Sequence, residues 1–161
     1  MITDYVDDAS HWELWKQAYV YGVLLIIPPD PLRSEVNALR AKYPQSSACD
    51  AHISLTVPLG RGMTRSDWHE LQALVSDVEP FEIRYGPLMN YLPAAPGVCL
   101  AIEPRSTLDD LRVTLESASC FEGAPPRRHP FSAHMTIAEM VSVEETLSLM
   151  KTLRDAAPEG I

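Results

Sequence analysis

Hydrophobic and polar positions follow two periods along the chain, and these predict helices and strands in turn. Apolar residues at helical spacing, as at Leu32, Val36 and Leu39, predict helices, whereas short β-branched or apolar runs predict strands. Helices are predicted over Ser10 to about Ala18, from the Asp30–Pro31 pair onward, over Ser66–Val78, from Ser106 or Thr107 onward, and from the Ser142–Glu145 capping box to about Ala156. Strands are predicted over Tyr19–Ile27, Cys49–Val57, Phe81–Tyr91, Val98–Glu103 and Ala133–Met140. This mixed order, with hairpin-like connections, predicts an α+β fold with mixed or antiparallel sheets.

The length of 161 residues fits one domain with a substantial core. We expect a single domain over residues 1–161, with an N-terminal helical extension of about residues 1–18. The longest apolar run, Val23–Ile27, is far shorter than the ~20 residues that span a bilayer, and the acidic start of the chain does not resemble a secretory signal. We therefore expect a cytoplasmic protein with no membrane partner. Cys49, Cys99 and Cys120 form no C-x-x-C pair, which predicts reduced and mostly buried thiols.

The net charge of −9 limits the choice of substrate. Proteins that hold long nucleic acids usually present a basic face, because contacts to phosphate supply much of the affinity. The longest basic run in this chain is Arg127–Arg128. The composition therefore disfavours long RNA or DNA and leaves room for a small nucleotide, whose phosphate needs only a few local donors.

Two of the five histidines begin the same short pattern. The segments AHISL at residues 51–55 and AHMTI at residues 133–137 each place a hydroxyl residue two positions after the histidine. Because side chains alternate between the faces of a strand, His52 shares a face with Ser54, and His134 shares a face with Thr136. The apolar residues between them are expected to face the core. Each segment thus offers an imidazole and a hydroxyl side by side.

Two imidazoles suit acid–base chemistry at a phosphodiester. Imidazole changes its protonation state near neutral pH, so one ring can accept a proton from an attacking water while the other donates a proton to the leaving oxygen. The hydroxyls of Ser54 and Thr136 are placed to stabilise charge that develops on the phosphoryl oxygens. The pattern leaves open which histidine is the acid and which is the base.

The paired motif resembles that of the two-histidine (2H) phosphoesterase superfamily, which includes 2′-5′ RNA ligase-like proteins and cyclic phosphodiesterases. The resemblance covers VYGVLLIIPPD at residues 20–30, HISLTVP at 52–58 and HMTIAEM at 134–140. It implies a bilobed α+β fold, in which two mostly antiparallel sheets flank a central cleft and the helices lie outside. It also implies cleavage of a small cyclic phosphate, of the 2′,3′-cyclic nucleotide or ADP-ribose type, without metal or other cofactor. His52 and His134 would be the catalytic pair, and Ser54 and Thr136 would bind the phosphate.

One position departs from this resemblance. RNA ligase-like members often carry an arginine soon after the second motif, as in HxTxxR, and here that position is Glu139. A negative charge in place of the arginine's positive charge disfavours ligation of RNA ends and binding of any large RNA substrate. Loop arginines are the candidates to replace the missing charge, and aromatic residues are the candidates to stack on a base. These candidate substrate contacts are Arg61, Arg127 and Arg128, with Tyr85, Tyr91 and Phe131.

Three other interpretations remain open from the sequence. The chain could join or cleave RNA ends through a 2′-5′ linkage, or it could be a non-catalytic nucleotide-binding module, with Glu139 marking lost activity. A metal site that uses His52, His134 and an acid is the weakest interpretation, because a zinc site usually needs three or four protein ligands. The sequence does not determine the oligomeric state.

Overall fold

The structure is a computed structural model that describes residues 8–45, 49–127 and 129–161. Contacts between residues divide the chain into two compact units. Unit 1 consists of the described residues of segments 1–24, 55–81 and 106–131, and unit 2 consists of those of segments 25–54, 82–105 and 132–161. All strands assigned within the described ranges belong to unit 2.

Unit 2 is built on a five-stranded antiparallel sheet. The strands are β1 (Leu25–Ile26), β2 (Ile53–Ser54), β3 (Arg84–Tyr91), β4 (Ala95–Glu103) and β5 (His134–Ala138), in the order β1-β2-β5-β4-β3. The helices of the chain are α1 (Leu14–Gln17), α2 (Leu32–Arg40), α3 (Arg65–Ser76), α4 (Arg105–Glu116) and α5 (Val143–Thr152), with a 3-10 turn at Ser119–Phe121. In unit 2, α2 contacts β5, while α5 contacts β3 and β4. Leu100, Ile102, Met135 and Ile137 are fully buried there and form the centre of the core.

Local capping signals set where two of the helices begin. Ser142 and Glu145 form the predicted capping box of α5: the Glu145 N–H donates to Ser142 Oγ (3.1 Å), and the Ser142 N–H donates to Glu145 Oε2 (2.7 Å). Thr64 and Asp67 form the equivalent box of α3. Within the described ranges, no helix combines the length and the hydrophobicity that a membrane crossing requires.

In unit 1, a buried carboxylate ties a loop to α3. Asp67 is 2% exposed and accepts two hydrogen bonds from the Arg61 guanidinium, at 2.7 and 2.8 Å, and one from Ser119 Oγ at 3.0 Å. Hydrogen bonds from Arg61 and then Thr64 hold the pKa of Asp67 well below its usual range. Arg61 is therefore bonded to this carboxylate, and its role as a phosphate donor stays a prediction.

The α+β class and the antiparallel pairing are confirmed, but the described strands form one sheet instead of the two expected. Both histidine motifs belong to neighbouring strands of that sheet. Unit 1 contributes no strand within the described ranges, although Leu24 O accepts the N–H of Leu55 at 3.1 Å.

The prediction of a central strand over Tyr19–Ile27 is wrong. Tight turns occupy its first part, where the Gly22 N–H donates to Tyr19 O (2.8 Å) and Gly22 has a φ of +92°. Pro28 follows at once, so only the two residues of β1 pair with a neighbour, at the edge of the sheet. The predicted first helix is reduced to α1, mainly at its start, where the Trp12 N–H donates to Ala9 O at 2.9 Å in a turn.

Candidate functional site

The two histidine motifs lie side by side in antiparallel strands of unit 2. Ile53 of β2 is paired with Met135 of β5. Continued by one residue in each direction, this register sets His52 opposite Thr136 and Ser54 opposite His134. Directly opposed Cβ atoms are about 4.5–5.5 Å apart and diagonal neighbours about 7–8 Å. With the alternation of side chains, this register predicts one patch of two imidazoles and two hydroxyls on the same face of the sheet.

Burial alternates along both motifs as the sequence predicts. The intervening residues are buried, among them Ile53 at 2% and Met135 at 1% exposure. His52, His134 and Thr136 are half-buried, and Ser54 is exposed. The polar face of the motif is thus accessible to a ligand, while the opposite face is fixed by the core.

The two imidazoles are held in the same way. His52 Nδ1 lies 2.6 Å from Asp50 O, and His134 Nδ1 lies 2.8 Å from Ser132 O. A carbonyl oxygen can only accept, so each Nδ1 carries a proton. The lone pair of each neutral ring is therefore on Nε2, and a protonated ring donates from the same atom. The matched bonds give both rings the tautomer that an external proton transfer at Nε2 requires.

The neighbours of the second motif include two titratable groups that stay neutral, Tyr91 and Cys99. The Tyr91 ring meets the His134 ring edge-on, with 5.3 Å between centroids and 73° between planes, and Tyr91 Oη donates to Ser132 Oγ at 2.9 Å. Burial raises the pKa of Tyr91, so the phenol stays protonated at neutral pH. Small residues of β4 flank the second motif: Ala101 lies opposite His134 and Cys99 opposite Thr136. Burial raises the pKa of the Cys99 thiol to about 12, so it too stays neutral.

Helix α2 holds the backbone before His52. Asn37 Oδ1 accepts the N–H of Ala51 at 2.7 Å, and Asn37 Nδ2 donates to Asp50 Oδ1 at 3.1 Å. The carbonyl of Asp50 is the acceptor that fixes His52. Asn37 therefore orients the imidazole indirectly, through the peptide to which that ring is bonded.

The sequence did not single out Asn37 or Arg40. Arg40 ends α2, is 4% exposed, and donates from Nη1 to Thr136 O (2.7 Å) and from Nη2 to Cys49 O (2.9 Å). It follows the buried Val36 by four residues, so it lies on the apolar side of the helix. An arginine on the apolar side of a predicted helix was the signal in the sequence that could have indicated a buried, hydrogen-bonded guanidinium.

Two of the other candidate contacts, Arg127 and Phe131, lie together in unit 1. Arg127 Nη2 donates to Glu116 Oε1 at 2.8 Å and to Leu55 O at 3.3 Å. The Phe131 ring packs against the guanidinium groups of Arg127 and Arg112, at 5.2 and 5.5 Å. These four charged and aromatic side chains line a cavity of about 690 Å³ in unit 1. Arg127 thus shares the Glu116 carboxylate with Arg112.

The remaining candidates are placed differently. Arg128 lies outside the described residues. Tyr85 exchanges two backbone hydrogen bonds with Gly160, at 2.9 and 3.0 Å, and its role as a substrate contact stays a prediction. In the part of the chain that the structure describes, no three or more His, Cys, Asp or Glu side chains are grouped as a metal site would need.

Comparison with protein-family models gives one match relevant to this site. The model described as the 2′-5′ RNA ligase superfamily matches residues 28–160. The matched span contains both histidine motifs and strands β2 to β5. A comparison with curated proteins finds no match.

Proposed function

The chain belongs to the 2′-5′ RNA ligase superfamily, within the 2H phosphoesterases, and on that premise we propose that it hydrolyses a small cyclic phosphate without a metal ion. Members of this superfamily are generally phosphodiesterases or ligases. The observation that carries the proposal is the matched pair of imidazoles, each with its Nδ1 proton bound to a backbone carbonyl, which leaves Nε2 as the ring nitrogen for proton transfer. The substrate class is a 2′,3′-cyclic nucleotide or an ADP-ribose cyclic phosphate.

The two rings divide the proton transfers of hydrolysis between them. The neutral imidazole accepts a proton at Nε2 from water as the water oxygen forms a bond to phosphorus. The P–O bond to one ribose oxygen breaks, and the protonated imidazole gives its Nε2 proton to that oxygen. The product is an acyclic monophosphate, and the pair ends with its protons exchanged. Either His52 or His134 can serve as the base in this scheme.

The hydroxyls of the patch complete the site. Ser54 and Thr136 lie beside the rings on the same face, where their O–H groups can donate to the non-bridging phosphoryl oxygens. These donors are fixed to strands, so they need little reorganisation as charge develops. Tyr91 beside His134 and Cys99 opposite Thr136 are both neutral at neutral pH, so neither adds a negative charge that would repel an anionic substrate.

Ligation of RNA ends is the second candidate, and the family match favours it. In that reaction a 5′-hydroxyl takes the place of water at the same phosphorus, and the same two proton transfers produce a 2′-5′ linkage. The acidic Glu139 beside the second motif makes this the less favoured reaction for a long RNA.

The test is a screen of the purified chain against 2′,3′-cyclic nucleotides, ADP-ribose 1″,2″-cyclic phosphate and 2′-5′ dinucleotides, with and without EDTA. We expect turnover of a cyclic phosphate that EDTA does not reduce and that His52→Ala and His134→Ala each abolish. His69→Ala is the matched control, because His69 is exposed on α3 outside both motifs. Turnover that survives loss of either motif histidine contradicts the proposal. Binding without turnover of any of these substrates makes the chain a nucleotide-binding module.

The pH dependence gives a second test of the same chemistry. Catalysis needs one imidazole neutral and the other protonated, so we expect kcat/KM to rise and then fall with pH around neutrality. The measurement is kcat/KM on the best substrate from about pH 5 to 9. A flat profile over this interval is incompatible with paired imidazole catalysis.

A further inference from the structure

The backbone ladder between the two motif strands is unusually short. β2 and β5 are paired only at Ile53 and Met135. One residue further along β5, the carbonyl of Thr136 accepts a hydrogen bond from a side chain, Arg40 Nη1, at 2.7 Å. The second terminal nitrogen of the same guanidinium donates to Cys49 O at 2.9 Å. Arg40 therefore spans the gap between the two motif segments where the ladder has ended.

Beyond Thr136, two more backbone groups at the end of β5 also bond to α2 or to the segment that follows it. Gln45 Nε2 donates to Ile137 O at 2.6 Å, and the Glu139 N–H donates to Pro44 O at 3.2 Å. Two carbonyls of β5 and the N–H that follows the strand thus bond to the end of α2 and the chain after it. Among these donors, Arg40 alone also reaches the backbone that leads into the first motif.

The planar fork of a guanidinium fits this task. It presents several N–H donors in a fixed geometry, so two carbonyls bound to Nη1 and Nη2 are held at a set separation. A lysine ammonium is a single nitrogen on a flexible chain and cannot hold two carbonyls in the same way. Arg40 is 4% exposed, so its bonds are shielded from competition with water.

The buried charge of Arg40 also bears on Glu139, the acid at the position where RNA ligase-like proteins often carry an arginine. Burial lowers the pKa of Arg40, and the negative charge of Glu139 opposes that shift. The acid after the second motif thus lies in the field of a cation supplied by α2. The backbone N–H of Glu139 is bonded to Pro44 O, so this residue also joins the second motif to the segment after α2.

We propose that Arg40 is a positioning residue that sets the spacing and orientation of the two histidine motifs by bridging Cys49 O and Thr136 O. This inference rests on the proposed function for its catalytic consequence. Cys49 immediately precedes Asp50, whose carbonyl fixes the His52 ring, and Thr136 follows His134 by two residues. A shift of either segment moves an imidazole relative to the phosphate, and a misplacement of about 1 Å costs on the order of 100-fold in rate.

The experiment compares two variants, Arg40→Lys and Arg40→Met, with the control Arg33→Met. Arg33 lies on the same helix, and its partly exposed side chain pairs with Asp30. Each protein is checked by circular dichroism, and kcat and KM are measured on a 2′,3′-cyclic nucleotide. Nitrogen-15 NMR of the histidine side chains reports the tautomer and environment of His52 and His134 without any need for turnover.

We expect Arg40→Lys to fold, to lose about 10- to 100-fold in kcat with KM within about threefold, and to shift the ring signals of both histidines. Arg40→Met is expected to lower kcat and shift the ring signals further than Arg40→Lys does. Arg33→Met is expected to match the unaltered chain in both respects. Unchanged ring signals in a folded Arg40→Lys protein overturn the proposal, as does unfolding of both Arg40 variants, which assigns Arg40 to stability alone. If the unaltered chain turns over no phosphodiester, the proposed function fails, while the NMR comparison still decides the positioning role.

Discussion

Each motif histidine takes its orientation from the carbonyl two residues before it, in the segment that leads into the motif strand. A backbone acceptor of this kind moves only if that segment moves, so the position of the imidazole depends on the backbone just before the strand. The bond also fixes the tautomer, which leaves Nε2 as the only ring atom that can exchange a proton with a ligand. The equivalence of the two rings explains why either of them can be the base.

The roles of the histidines and the hydroxyls separate by the size of their effects. Loss of a general acid or base removes about 10²–10⁴-fold in rate, whereas loss of a hydrogen bond to a charged phosphoryl oxygen costs roughly 1.5–3 kcal/mol, or about ten- to a hundredfold. We therefore expect Ser54→Ala and Thr136→Ala each to lower kcat/KM on a cyclic phosphate less than His52→Ala or His134→Ala does. A Thr136→Ala protein with full activity, beside an inactive His134→Ala protein, identifies Thr136 as a residue of the strand alone.

Asp67 gives a prediction about stability and pH. Its pKa in the folded chain lies below the ordinary Asp value of ~3.9, so its stabilisation is fully present above that pH and is lost as the pH falls below it. We expect Asp67→Asn to lower the free energy of unfolding by about 1.5–3 kcal/mol at pH 7. The difference from the unaltered chain should shrink below about pH 4.

Urea unfolding at a series of pH values measures this difference. Asp110→Asn is the control, because Asp110 is exposed on α4 in the same unit. A stability difference between the Asp67→Asn chain and the unaltered chain that persists undiminished at acid pH shows that the Asp67 charge is not what stabilises unit 1.

At the scale of elements, α2 is the support of the candidate site. Its buried Val36 anchors the helix, and Asn37 and Arg40, one turn apart, carry its bonds to the motif segments. Asn37 acts on the first motif only, while Arg40 acts on both. A change at Asn37 is therefore expected to affect His52 alone, whereas a change at Arg40 is expected to affect both His52 and His134.

The selectivity of Asn37 is testable. Asn37→Ala removes the acceptor of the buried Ala51 N–H, which we expect to cost about 1–3 kcal/mol in stability. The ring signals of His52 should shift in nitrogen-15 NMR, while those of His134 stay in place, and kcat should fall about tenfold. Glu35→Ala, at an exposed position of α2, is the control. Equal shifts of both histidines mean that the helix moves as a whole and that Asn37 has no selective role.

The elements differ in how far the sequence could predict them, and the cause is the range of the interactions that form them. The capping box of α5 depends on residues three apart, so the pattern was sufficient. The alternation in both motifs was equally local, and it predicted which side chains share a face. The ladder of β2 ends where Arg40 bonds to the Thr136 carbonyl, and these two residues are 96 positions apart in the chain. No local sequence pattern encodes a contact over that distance. The edge position of β1 was missed for the same reason.

For the whole molecule, charge is the property that bears on the substrate. The chain carries 22 acidic and 13 basic residues, counting only Asp, Glu, Lys and Arg. Several of the basic side chains are engaged in ion pairs with neighbouring carboxylates, and these are Lys16, Arg33, Arg61, Arg105, Arg112 and Arg127. Cations already neutralised in this way add little attraction for a polyanion. The resulting field favours a ligand with few charges.

We therefore expect a mononucleotide-sized cyclic phosphate to be turned over with a higher kcat/KM than an oligonucleotide that ends in the same group. Its cyclic diester carries one negative charge that a few local donors can hold, whereas each further phosphate of an RNA meets an acidic surface. Salt should also affect the small substrate only weakly, because few counterions are released when it binds. The measurement compares kcat/KM for the two substrates at low and moderate salt, with the oligonucleotide's affinity followed in parallel. Tight oligonucleotide binding that weakens steeply as salt rises contradicts this expectation and points to a basic track, in which case ligation or cleavage of RNA ends becomes the better account of the two histidines.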